Sequence, residues 1–168
     1  MKIKNILLAV IAALMMTVVS VSAKDNSSDE VVKIVYPLDF PDVKRVHFML
    51  NTLNNVVKYY QKSFKEYELN LVLYGPGLQY GMKSFKGTGF VGKPYLKHGG
   101  PTGKGVQGRL RDLQQLAGDN LKIYICGNTM KKKHVKKEQL LSGTEVTTAG
   151  VIKIIDLQRE GAAVIKIK

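Results

Sequence analysis

Leu121-Lys122-Ile123-Tyr124-Ile125-Cys126-Gly127-Asn128-Thr129 passes from strand chemistry to helix chemistry without a linker. Leu121, Ile123, Tyr124 and Ile125 make an apolar run of strand length. Cys126-Gly127 interrupts it, and Asn128 or Thr129 then offers a side chain able to cap a helix that continues through Lys137. A strand that turns straight into a helix is the recurring half of a β-α-β unit, whose two strands pair in parallel.

The same unit repeats on both sides. Residues 69–74 form a strand stopped by Gly75-Pro76-Gly77, and residues 109–117 a short helix closed by Gly118. Earlier still, Val31-Val32-Lys33-Ile34-Val35-Tyr36 is a β-branched strand closed by Pro37. Asp42 caps a helix running to about Lys65, and its Val46, Met49, Leu50, Leu53, Val57, Tyr60 and Phe64 recur at three- and four-residue steps on one face. Downstream, Val146-Thr147-Thr148 predicts a short strand halted at Gly150, residues 151–160 a helix ended by Gly161, and residues 163–167 a last strand. Residues 79–105 read as an irregular stretch rich in Gly and Lys, longer than most connections in a compact domain. The order β-α-β-α-β-α-β-α-β implies right-handed crossovers. The expected fold is a single α/β domain on a mostly parallel five-stranded sheet with helices on both faces.

Composition sets the surroundings. Residues 1–23 join a basic start, Lys2 and Lys4, to a charge-free run from Ile6 to Val21 and small residues at Val21-Ser22-Ala23. That is the pattern of a cleavable signal peptide. Its apolar run is shorter than the ~20 residues of a membrane span, so no stable membrane insertion is expected after cleavage. No cysteine follows it for lipid attachment. Residues 24–30 are a polar, flexible lead-in, and residues 31–168 form the domain. The expected location is outside the cytoplasm, in the periplasm.

Removing 23 residues leaves 145, a size that supports one domain with a real core. A hydrophobic share of 45% fits a folded chain rather than a disordered one. The formal charge of +13 falls to +11 with the signal, which carries two lysines and no acid. Such a charge favours anionic partners: a small anion, an acidic protein or a membrane surface. Nucleic acid is not expected, because exported proteins rarely meet it and no basic stripe is interleaved with aromatics. The one cysteine, Cys126, excludes an intrachain disulfide. In an oxidising compartment a free thiol is either buried or used, and composition leaves both open.

Open parallel sheets bind ligands beyond the carboxyl ends of their strands. Four exits are readable: Tyr36-Pro37-Leu38-Asp39, Gly75-Pro76-Gly77, Cys126-Gly127-Asn128 and Ala149-Gly150. The single thiol stands at the edge where this architecture keeps its chemistry. A thiolate before a helix N-terminus is stabilised by unpaired N–H groups, and Lys131, Lys132 and Lys133 add to the effect.

Ile125-Cys126-Gly127-Asn128-Thr129-Met130, Leu140-Leu141-Ser142-Gly143, Ala149-Gly150-Val151-Ile152-Lys153-Ile154 and Leu157-Gln158 together resemble the DsrE/DsrF-like family. Tyr36-Pro37-Leu38-Asp39 and Tyr74-Gly75-Pro76-Gly77 are similar to that family's first two strand exits, and the likeness runs over residues 31–167. It implies a flavodoxin-like (YchN-like) sheet that assembles into trimers or hexamers. It also implies a cysteine that carries persulfide sulfur between partner proteins, a place only Cys126 can take. The expected site is therefore Cys126 as the sulfur-carrying or thiol-exchange residue, with Gly127, Asn128, Thr129, Lys131, Asp39, Gly75 and Gly77 binding substrate or anion around it. No cofactor or metal is expected. The activity implied is that of a carrier or weak sulfurtransferase served by a sulfur donor or acceptor protein. The alternative is a non-catalytic oligomeric module that binds an anion or acidic partner, with Cys126 structural.

Other motifs carry less. Gly87-Thr88-Gly89-Phe90-Val91-Gly92 has dinucleotide-binding spacing but follows no strand and opens no helix. Gly99-Gly100-Pro101-Thr102-Gly103-Lys104-Gly105 lacks the hydroxyl residue that a phosphate loop uses to hold magnesium. His47, His98 and His134 show no metal-ligand spacing, and no serine sits in a nucleophile elbow.

Overall fold

The computed structural model describes residues 31–90 and 105–168. The expected signal peptide, the lead-in and the part of the Gly- and Lys-rich stretch that holds His98 lie outside the described residues. Five strands make the sheet: β1 (Val32–Leu38), β2 (Tyr67–Leu73), β3 (Leu121–Cys126), β4 (Thr144–Thr147) and β5 (Ala163–Val164). Every pair is parallel, and the order is β4-β3-β2-β1-β5. Four α-helices connect them: α1 (Val43–Ser63), α2 (Val106–Ala117), α3 (Gly127–Lys133) and α4 (Gly150–Arg159).

This order decides where the helices go. From β1 to β4 each strand lies one place further along the sheet, so right-handed crossovers put α1, α2 and α3 on one face. The step from β4 back to β5 runs the other way and puts α4 on the opposite face. Burial follows the same division. Ile34, Tyr36, Leu69, Leu71, Ile123 and Ile125 face the large core with Val46, Leu53 and Val57 of α1 and Leu110 of α2. Val35, Val72 and Tyr124 face a smaller core closed by Leu157 of α4.

Local rules set the element ends. Asp42 caps α1, its Oδ1 accepting from Arg45 N–H at 2.7 Å. Pro37 lies inside β1 rather than closing it. Val35 offers its carbonyl toward β5, to Ile165 N–H at 2.9 Å, so Pro37, two residues on, also faces that side. There β5 has already ended, and the missing N–H breaks no ladder bond. The last strand is accordingly shorter than expected, pairing only at Ala163 and Val164.

Three other expectations are corrected. Helix α3 stops at Lys133, not Lys137: His134 takes the left-handed conformation, Val135 N–H bonds back to Met130 O at 2.9 Å, and the buried Val135 side chain draws the chain off the helix axis. Phe64 does not share the buried face of α1. It is the C-cap, left-handed and 95% exposed. The start of the irregular stretch is core, because Gly75–Gly81 form a 3-10 helix that buries Leu78 and Tyr80 completely, with Met82 beside them.

One polar lock ties α1 to α2. The buried Arg109 guanidinium meets His47 Nδ1 at 2.7 Å and donates to His47 O at 3.2 Å and Asn51 Oδ1 at 2.5 Å. Burial pulls the guanidinium pKa below its ordinary value against the pull of Asp112. These hydrogen bonds are what allow a cation to sit between two helices.

Candidate functional site

The chain leaving β3 enters α3 on one face, and the chain leaving β4 enters α4 on the other. Neighbouring strands whose connections part in this way open a crevice at their carboxyl ends, where doubly wound sheets bind ligands. Cys126 is the last residue of β3, in register with Thr147 of β4, and it is also the N-cap of α3. It therefore occupies the switch point itself.

The crevice is narrow. A side chain at Gly127 would put its Cβ 2.9 Å from Thr147 O, and Asn128 N–H donates to Thr148 O at 3.1 Å. The sulfur lies between the first turns of two helices. Burial raises its pKa, but the Thr129 hydroxyl and the backbone N–H groups at the starts of α3 and α4, those of Gly150, Thr129 and Asn128, pull it down. Their combined pull wins, and the thiol lies below the ordinary cysteine range. Thr129 is fixed from the other side, its Oγ1 accepting from Gly75 N–H at 3.0 Å. That bond leaves the hydroxyl proton for the sulfur. The exits of β2 and β3 are thus joined through one threonine.

Tyr74 completes the group. Its hydroxyl donates to Asp39 Oδ2 at 3.3 Å, and its side chain packs so tightly on α4 that a Cβ at Gly150 would fall 2.8 Å from Tyr74 Cβ. Burial, then the Asp39 charge and hydrogen bond, then the charge of Cys126 push the phenol pKa up, so it stays neutral beside the sulfur.

Expected residues fall into three groups. Asn128 and Thr129 follow Cys126 in the first turn of α3 and pull its pKa down, and Gly127 allows the close approach of that turn to Thr147 and Thr148. Gly75 and Asp39 act at one remove, through Thr129 and Tyr74. Gly77 presses the β2 exit onto β1: its Cβ would lie 2.1 Å from Leu38 O, and its own N–H goes to Tyr74 O at 3.0 Å. Lys131 is exposed in the last turn of α3. Lys132 and Lys133, with Phe90, Pro76 and Thr129, line a cleft of about 480 Å³ beside the site, where Lys133 Nζ lies 5.3 Å from the Phe90 ring centroid. Tyr74 and Gly150 are the members that the sequence reading left out of the site. Both stood within quoted strand exits, but which exits adjoin depends on the strand order.

Cys126 is only 5% exposed, so its thiol is withdrawn from open solvent. Among the described residues no three His, Cys, Asp or Glu gather as metal ligands. The chemistry on offer is that of a buried thiol whose ionisation is eased, within electrostatic reach of the Tyr74 phenol. Such a group can attack a sulfur atom or hold one.

Comparison with known proteins agrees with this frame. The fold matches MTH1491, a protein of unknown function from Methanobacterium thermoautotrophicum, with TM-score 0.59 and 20% identity over 80% of this chain and 98% of that one. It also matches the ychN protein from E. coli, with TM-score 0.51 and 16% identity over 81% of this chain and 99% of that one. No curated protein sequence matches. The profile of the DsrE/DsrF-like family matches residues 41–167, from the cap of α1 past the end of β5, and the chain belongs to that family.

Proposed function

We propose that the protein handles sulfur, with Cys126 as the atom-carrying residue. Family membership points to sulfur chemistry in general, and one observation carries the finer reading: the only thiol ends β3 at the switch point, as the N-cap of α3 and in register with Thr147 of β4, where the helix N–H donors favour an anion. In the step we propose, the Cys126 thiolate attacks the outer sulfur of a donor persulfide, R–S–SH. The S–S bond of the donor breaks, R–S⁻ leaves with the electron pair, and Cys126 becomes the persulfide. Transfer to an acceptor thiolate reverses these roles. No oxidant or reductant is needed. The donors that hold the thiolate also hold the anionic leaving form, and this suits a carrier or weak sulfurtransferase more than a fast enzyme.

The protein acts, on this reading, as a homo-oligomer outside the cytoplasm, after loss of residues 1–23. Exposed Val151, Ile152 and Ile155 on α4, with Val146 on β4, support an assembly surface close to the sulfur site. A second reading has its own support. The 5% exposure of Cys126 suits a structural thiol in an oligomeric module that binds an anion or acidic partner. Thiol labelling separates the two: a carrier reacts in the native state, and a core cysteine reacts only after denaturation.

A further inference from the structure

The other end of the molecule carries a different kind of surface. The chain leaves α1 through Phe64 in the left-handed conformation, φ 53 and ψ 31, which glycine adopts without steric cost. A bulky side chain is strained there, and the Phe64 ring is 95% exposed. Tyr59, five residues earlier, is 62% exposed. Lys58, Lys62 and Lys65 lie within six residues of both rings along the chain, all exposed, and Glu66 is the sole acid in residues 58–66. Lysines at a helix C-terminus complement its dipole, but that does not account for a phenyl ring standing clear of the fold.

We infer that this end of α1 docks the protein on an anionic lipid surface, with Phe64 and Tyr59 entering the headgroup layer and the three lysines meeting lipid phosphates. Aromatic rings favour the bilayer boundary, and each lysine near an anionic leaflet adds attraction. An acidic protein would pair with the lysines yet has no call on exposed rings. A second copy would set the same lysines against each other. Among the described residues no helix is long and apolar enough to cross a membrane, so the contact is with the surface. Helices in a parallel sheet run opposite to the strands, so the end of α1 lies at the edge away from Cys126. Docking there leaves the sulfur crevice open.

The chain has no tryptophan, so Phe64→Trp in the full-length protein places one fluorescent reporter at the patch. Phosphatidylcholine vesicles containing phosphatidylglycerol should shift its emission to shorter wavelength, with quenching by brominated acyl chains; pure phosphatidylcholine should leave it unchanged. Replacing Lys58, Lys62 and Lys65 with Gln in that background should weaken the response on the order of a hundredfold. Phe64→Gly should raise Tm by relieving the backbone while weakening vesicle binding. Emission indifferent to anionic vesicles would overturn the proposal. So would a shift that tracks protein concentration without lipid, or Phe64→Gly binding vesicles as the parent does.

Discussion

At the scale of single residues, the sulfur of Cys126 and the groups around it set the chemistry. Iodoacetamide labelling of the native protein across pH should give a midpoint below the ~8.5 of a free cysteine. Thr129→Val keeps the shape and removes the hydroxyl, so the midpoint should rise. The same change strips Gly75 N–H of its acceptor, which should cost about 1–3 kcal/mol in denaturant unfolding. Gly150→Ala should also raise the midpoint, because the new Cβ meets Tyr74 and moves the α4 N–H off the sulfur. The lowered thiol pKa has a consequence for stability. The folded value lies below the unfolded one, so the thiolate contributes stability that is fully present above ~8.5 and is lost as pH falls through the folded value. Wild type should therefore gain on Cys126→Ser as pH rises from the folded value toward ~8.5, and no gain across that range would contradict a stabilised thiolate. The position of Cys126 was legible in the sequence, since a strand running directly into a helix puts the joining residue at the carboxyl edge. Tyr74 and Gly150 were not legible as its neighbours. Tyr74 stands near Cys126 because β2 pairs with β3, Leu73 opposite Ile125, and Gly150 because the last connection crosses back over the other face.

Among the elements, α1 and α2 illustrate what periodicity reveals and where it stops. The three- and four-residue steps located Val46, Met49, Leu50, Leu53 and Val57, all buried. The same steps carried on to Phe64, which falls one residue past the helix. Spacing contains no information about where a helix ends unless a glycine or proline marks the place, and here a phenylalanine takes the left-handed cap. The early end of α3 has the same origin, with His134 in the glycine role. Arg109 was invisible for another reason: its partners His47 and Asn51 sit on a different helix, 62 and 58 residues away. Arg109→Ala should remove three hydrogen bonds at once, two of them buried, and lower stability by about 2–4 kcal/mol. Leu53→Ala, emptying a fully buried position on the same helix, should cost about 2–5 kcal/mol. Chemical denaturation of both variants checks these figures, and an Arg109→Ala protein as stable as its parent would show that the lock is not structural.

For the whole molecule, the alternation of strand and helix was enough to reach a five-stranded parallel sheet, because right-handed crossovers leave few other arrangements. What alternation cannot supply is the surface of an assembly. The exposed row on α4 reads from sequence as ordinary helix, and the sheet order is what shows that, among the described residues, α4 is the one helix on its face. Light scattering should give a mass several times that of the chain, and Ile152→Glu with Ile155→Glu should reduce it to a monomer. Protein recovered outside the cytoplasm should begin at or near Lys24 by N-terminal sequencing. The central claim, that Cys126 takes up sulfur, meets its most direct test in intact mass spectrometry of the native protein after incubation with a small-molecule persulfide. The expected result is an added mass of one sulfur atom per chain, removed by reductant and absent from Cys126→Ser. A native protein that gains no sulfur, while the denatured chain reacts at once, would contradict it and leave Cys126 as a core residue.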